Sequence, residues 1–246
     1  MILRRLKAHV EAENWFAVAI DFAIVVVGVF IGIQVANWND MRADRQTFED
    51  AMVRFVDETK TNLETLDALD AEIAIKLDKV GSGYEALLSC ADDPETLERI
   101  NIAINELNWT YGLPLRRIVL DEIATTPRLL QFLSEEQRRR LADAQYKFGV
   151  YLSEARHAEL SPLQTRMETN PVIAVGDKTL SSSVYLGVEY TDEIWPLSLA
   201  VPVSEACQDN NLVKDFYAYL YPQGHLPTTS RVFRTELEKN LEIATP

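Results

Sequence analysis

The residues that most often carry chemistry are few in this sequence and widely spaced. The three histidines, His9, His157 and His225, are scattered, and His157 stands two residues before Glu159. Residues at i and i+2 point to different faces of a helix, so this pair does not predict a shared metal ion. The sequence also has no GxSxG, HExxH, P-loop or GxGxxG motif. We therefore predict a protein that is not an enzyme and that uses no cofactor or metal.

Two cysteines, Cys90 and Cys207, lie far apart and lack the CxxC spacing of redox or zinc sites. One interpretation is a structural disulfide in an oxidising compartment, and the other is two unrelated buried thiols. A bond would tie the start of the second helical region to residues 171–210.

Asp21 is the single acid in an apolar stretch that runs from Trp15 to Trp38. As a helix, residues 15–36 span roughly 33 Å, close to the ~30 Å hydrocarbon core of a bilayer. Indole rings prefer the two membrane interfaces. We predict a transmembrane helix over residues 15–38, with the two tryptophans as interface anchors. A cleaved signal peptide and a buried helix of a soluble domain are the alternatives.

Small and polar residues of this segment fall on one side of the predicted helix. At 100° per residue, Gly28 and Gly32 lie about 20° to either side of Asp21, Val25 lies about 40° away, and Asn39 returns almost to the same angle. A GxxxG pair permits close approach of membrane helices, and an intramembrane acid usually faces protein. These five residues form a predicted packing stripe for another transmembrane helix, from a second copy or a different protein. The alternative is that Asp21 lies near enough to the interface to reach the head groups.

Charge is unevenly placed along the chain. The first 39 residues hold three bases and three acids, so the remainder holds 21 basic and 35 acidic residues and the whole net charge of −14. Such an acidic domain is a poor candidate for binding nucleic acid. The bases flanking the span nearly balance, and the N-terminal amine tips them towards a cytoplasmic N-terminus. We predict a cytoplasmic tail of residues 1–14 and a periplasmic domain of residues 39–246, anchored in a bacterial inner membrane.

A long helix is predicted after Asp40. It would cover about 35 to 40 residues, continue the anchor directly or after a slight kink, and end at the GSG sequence of residues 81–83. Three polar residues interrupt its apolar seam, which favours packing within the domain over a self-paired coiled coil. The seam positions are Phe48, Met52, Phe55, Thr59, Asn62, Leu66, Leu69, Ile73, Lys76 and Val80.

Capping signals predict further helices. Asp93 precedes a proline and is typical of an N-cap, Pro127 closes a helix, and Ser134–Gln137 matches a capping box. Tyr146 is expected on the buried side of the helix that follows this box. The expected fold is mainly α: one transmembrane helix continuing into an antiparallel helical bundle.

The bundle is interrupted by an irregular excursion over residues 171–203, where no helical period is sustained. Turn residues and short apolar fragments indicate extended chain with a short strand pair. Helix returns near residues 209–221, and Ser230 is a candidate N-cap of a last helix.

The sequence FAIVVVGVFIGIQVANWND resembles the N-terminal anchor of a bacterial family of single-pass membrane proteins of unknown function. A second segment, LDEIATTPRLLQFLSEEQRRRLADAQY, is similar to a helix–turn–helix of that family. The resemblance implies a membrane topology and no mechanism. The matching anchor positions are Gly28, Gly32, Gln34, Asn37, Trp38 and Asn39.

Two functions remain open at this point. The first is a scaffold or accessory subunit of a membrane assembly, whose partners are the lipid bilayer and another transmembrane helix. The second is an extracytoplasmic module that binds a small ligand and acts through a partner. Aromatic residues that would line a ligand pocket, if they are not core, are Trp195, Phe216, Tyr217, Tyr219 and Tyr221.

Overall fold

One helix, α1 (Trp15–Ser89), carries the apolar segment and continues into the domain. The computed structural model describes residues 15–164, 166–185 and 188–244, so the predicted tail of residues 1–14 lies outside it. At 75 residues, α1 is about 110 Å long. The mainly α architecture predicted from the sequence is confirmed.

The predicted seam of α1 is the face that the rest of the domain covers. Phe55, Leu66 and Val80 are buried, and so are the polar Thr59 and Asn62 between them. The apolar seam residues pack against other helices of the same chain, and Asn62 bonds to the backbone of Arg116, as expected from a seam that contains polar residues.

The prediction that GSG ends this helix is wrong, because α1 continues to Ser89. Gly83 is a contact point: a Cβ there would lie only 2.8 Å from the carbonyl oxygen of Arg99 and would also overlap Ala103. The glycine therefore permits close approach of α1 and α2 (Pro94–Glu106), and packing outweighs its low helix propensity.

Two of the helices after α1 begin at the capping residues identified in the sequence. Asp93 caps α2, because its Oδ1 accepts the backbone N–H of Thr96 at 2.9 Å. Pro127 lies between two short helices, α3 (Ile118–Thr125) and α4 (Pro127–Leu130). It is the first residue of α4, a position that needs no N–H donor.

Helix α5 (Glu135–Leu160) begins at the predicted capping box, with the side chains of Ser134 and Gln137 bonded to each other's backbone. The expectation for Tyr146 is wrong, since its side chain is 72% exposed. Phe148 occupies the buried face instead, edge-to-face with Phe233 at 4.9 Å between ring centroids.

Two antiparallel ribbons form the excursion. Strand β1 (Ile173–Val175) pairs with β4 (Leu197–Leu199), and between them β2 (Thr179–Tyr185) pairs with β3 (Val188–Ile194). The β1–β4 ribbon lies on α2, and the β2–β3 hairpin extends from it.

After the short helix α6 (Val203–Ala206), α7 (Asn210–Ala244) runs as one helix to the end of the described chain. The predicted break at Ser230 is wrong, because this residue is buried inside α7. Pro222 and Pro227 also lie within the helix, where each removes one backbone hydrogen bond. The apolar face of α7 is buried on both sides of these prolines, which favours a continuous helix.

Two hydrophobic cores lie along α1. The first core contains Phe55 and Leu66 with residues of α3, α4, α5 and the second half of α7. The second core contains Val80 and Leu87 with residues of α2, the β1–β4 ribbon, α6 and the first half of α7.

Candidate functional site: the exposed segment of α1 and its junction with the domain

The apolar segment of α1 has no protein cover. Its most apolar 18-residue window has a mean hydropathy of 2.5, and none of that window is buried. A core helix of a soluble domain would be covered by its own chain, so that alternative does not fit. The segment is long and apolar enough to cross a membrane.

The predicted packing stripe lies on this open helix. Positions Gly28 and Gly32 have no atom within 4 Å of an added Cβ, and the side chain of Val25 is 51% exposed. Asp21 is half-buried and Asn39 is exposed. The stripe is therefore free to receive a second helix, and the part of the chain that the structure describes places no other element on it.

The two anchor tryptophans bound this segment. Both Trp15 and Trp38 are exposed, and 23 residues of helix put them roughly 35 Å apart along the axis. This spacing matches the distance between the two interfaces of a bilayer.

The domain meets α1 directly after Trp38. The guanidinium of Arg42 lies 6.0 Å from the ring centroid of Trp38, and that of Arg45 lies 5.8 Å from the ring of Phe132. Phe132 also contacts Phe48, with ring centroids 5.5 Å apart. The sequence reasoning missed this junction, although Trp38 and Arg42 stand at i and i+4 on the helix.

Polar side chains of α1 fix the next part of the domain. Asn62 donates to the carbonyl of Arg116 at 2.7 Å and accepts its N–H at 2.8 Å. The Glu58 carboxylate accepts the N–H groups of Val119 and Leu120 at the start of α3. It therefore caps α3, which has no cap from its own N-terminal side chain.

A buried lysine lies where α1, α2 and α7 meet. The Lys76 ammonium is 3.6 Å from the carboxylate of Glu106 and 5.4 and 5.9 Å from the ring centroids of Tyr111 and Tyr219. Burial lowers the pKa of Lys76 to about 8, and Glu106 opposes this shift. Burial also raises the pKa of both phenols. The Lys76 ammonium is thus held beside one carboxylate and two aromatic rings, and this cluster supports the packing of the three helices.

A disulfide joins Cys90, directly after α1, to Cys207, directly after α6. The Cα atoms are 5.4 Å apart, and 117 residues separate the two cysteines in sequence. The structure therefore agrees with the interpretation of Cys90 and Cys207 as a disulfide and not as two separate thiols. The bond links α1 to the turn that precedes α7.

Asparagines of α2 hold the adjacent ribbon in place. The side chain of Asn105 both donates to and accepts from the backbone of Leu197, each at 2.8 Å, and Asn101 accepts the N–H of Leu199. These amides pair with the edge of β4 as a further strand would.

The aromatic residues considered for a ligand pocket are divided between core and surface. Phe216 and Tyr219 are buried in the second core, whereas Trp195, Tyr217 and Tyr221 are exposed. Two concave regions, of about 540 and 560 Å³, lie on the outward faces of α2 and α5 and include none of these aromatics. In the described ranges, no group of three or more His, Cys, Asp or Glu residues is placed to hold a metal ion.

No protein-family model matches the sequence, and neither a curated protein nor a solved structure matches it.

Proposed function

We propose that the chain is a single-pass membrane protein that serves as a scaffold or accessory subunit of a membrane assembly. One observation carries the proposal: the uncovered apolar segment and the core of the domain belong to the same unbroken helix. A helix that packs against the stripe would be coupled to the domain without an intervening linker.

The proposed location is a bacterial inner membrane, with residues 1–14 in the cytoplasm and the domain in the periplasm. The Cys90–Cys207 bond supports this orientation, because disulfides persist in oxidising compartments such as the periplasm. Membership of the bacterial single-pass family that the anchor resembles is part of the same proposal. The alternative function is a ligand-binding module; of the aromatic residues considered for it, Phe216 and Tyr219 are packed in the second core.

The stripe is tested with the full-length chain purified from membranes in a gentle detergent. We expect it to co-migrate with a second copy or another membrane protein, and Gly28→Ile with Gly32→Ile to remove most of that partner, because larger side chains block close helix approach. Ala19→Ile with Ala23→Ile is the matched control on the opposite face of α1 and should retain the partner. A lone monomer that binds a small molecule would contradict the scaffold proposal.

A further inference from the structure

Three arginines lie at a similar height where α1 leaves the predicted membrane, two on α1 and one on α4, and we name them the arginine collar: Arg42, Arg45 and Arg128. Arg42 and Arg45 follow Trp38 by about 6 and 10 Å along the helix axis. A bilayer of ~30 Å hydrocarbon thickness is about 40–45 Å thick with its head groups, so each head-group layer is roughly 5–8 Å deep. Long arginine side chains at this height reach the phosphate layer.

The fold adds the third arginine to this level. The Nη1 atom of Arg128, in α4, lies 3.8 Å from Oδ1 of Asp44, and the side chain is 77% exposed. Contact with Asp44 places the Arg128 guanidinium about 9 Å beyond Trp38 along the axis. Sequence alone does not bring residue 128 to this height.

The other two guanidinium groups contact aromatic rings. Arg42 lies over Trp38 and Arg45 over Phe132, and among the described residues neither forms an ion pair with a carboxylate. A cation–π contact uses none of the N–H donors of a guanidinium for a carboxylate, so these donors stay open to another acceptor. The collar thus presents two cations without an ion-pair partner among the described residues, and a third, exposed one whose Nη1 lies 3.8 Å from the half-buried Asp44.

We propose that the arginine collar binds the phosphate groups of anionic lipids in the leaflet next to the domain. A guanidinium fork matches phosphate oxygens in a bidentate geometry, which favours lipid phosphate as the ligand. The same turns of α1 hold two acids, Asp40 and Asp44, beside Arg42 and Arg45, and Arg128 of α4 adds the third base. The inference rests on the proposed membrane insertion of α1.

The negative charge of the rest of the domain favours lipid contact through the collar over contact through other surfaces. With 35 acids against 21 bases after residue 39, the domain as a whole is repelled by an anionic surface. The collar places three bases at the end of the domain next to the predicted membrane, where they would attract anionic lipid. Repulsion of the body together with attraction of the collar holds the domain away from the lipid surface.

The test measures which lipid the full-length protein retains. Protein in mixed micelles of phosphatidylglycerol and phosphatidylcholine in equal amounts is analysed by native mass spectrometry. We expect phosphatidylglycerol to be enriched, and Arg42→Gln, Arg45→Gln and Arg128→Gln to reduce the enrichment by up to roughly fivefold per arginine, the equivalent of about 1 kcal/mol for each basic side chain at an anionic surface. The matched control combines substitutions of three exposed arginines elsewhere in the domain, namely Arg156→Gln, Arg166→Gln and Arg231→Gln.

The outcomes separate this inference from the proposed function. Enrichment that falls equally in the collar variant and in the control overturns the collar, as does equal retention of both lipids by the unmodified protein. Carbonate extraction of membranes is run in parallel. Release of the chain into the soluble fraction would overturn membrane insertion and the collar together, whereas an inserted chain without lipid preference would overturn the collar alone.

Discussion

Lys76 is a buried charge whose environment makes folding depend on pH. In the folded chain burial lowers its pKa from the ordinary value of 10.5 to about 8. Between these two values the unfolded chain keeps a proton that the folded chain has released. The unfolded state then binds more protons, so the free energy of unfolding rises as pH increases from about 8 towards 10. Above pH 10 the raised pKa values of Tyr111 and Tyr219 act in the opposite direction.

We expect Lys76→Met to remove this rise and to leave the protein at least as stable at pH 7. An apolar side chain of similar length avoids the cost of burying the ammonium, and Glu106 keeps its 2.7 Å ion pair with Lys79. Chemical denaturation at pH 7, 8, 9 and 10 measures the effect. Lys79→Met is the control, because Lys79 is far more exposed and should leave the rise intact. An unchanged pH profile in Lys76→Met would contradict the assignment.

Single residues also show which contacts a sequence can predict. The Asp93 cap and the Ser134–Gln137 box involve residues three apart, so local pattern was sufficient. The bonds of Asn62 to Arg116 and of Glu58 to α3 join residues 54 or more positions apart. Their polarity within an apolar seam indicated a partner, but only the fold identifies it.

At the scale of the elements, two glycines two residues apart in α1 have opposite roles. Gly83 lies against α2, whereas Gly81 has no atom within 4 Å of an added Cβ. We expect Gly83→Ala to destabilise the protein by about 1–3 kcal/mol, because the helices must separate. Gly81→Ala should stabilise it by about 0.5–1 kcal/mol through helix propensity. Denaturant midpoints of the two variants measure the contrast, and two changes of the same sign would refute the close-contact role.

The elements that were mispredicted share one cause. GSG in α1 and Pro222 and Pro227 in α7 have low helix propensity, and local rules place breaks near them. Each lies in a helix whose buried face continues on both sides, so tertiary packing determines the outcome. Pro127, by contrast, does separate two helices, because the residue before a proline avoids the helical conformation and Thr126 is extended between α3 and α4.

At the scale of the whole molecule, the disulfide joins distant parts of the chain. We expect Cys90→Ser with Cys207→Ser to lower the free energy of unfolding by about 2–4 kcal/mol, since a closed loop restricts the unfolded chain. Denaturation with and without reductant measures this loss. Reduced unmodified protein should behave like the double variant. Equal stability of the oxidised and reduced forms would contradict a stabilising role.

Some features of the candidate site and of the fold could be predicted from the sequence, and others could not. The packing stripe and anchor tryptophans lie on one helix, so helical periodicity alone placed them relative to each other. The mainly α class and the seam of α1 followed from the same periodicity. The arginine collar required the fold, because Arg128 reaches α1 only after α2 and α3 have returned the chain along it.

Because α1 is unbroken, the angle around its axis between the packing stripe and the domain is fixed. Counted around the helix axis, Phe48, Phe55 and Leu66 on the covered side lie roughly 160–180° from Asp21. A second helix that packs against the stripe therefore lies on the side of α1 opposite the domain and does not collide with it. Two copies related by a twofold axis would stand back to back with their α1 helices innermost. Inserting two residues after Asp40 would turn the stripe by about 200°, beneath the domain's own mass.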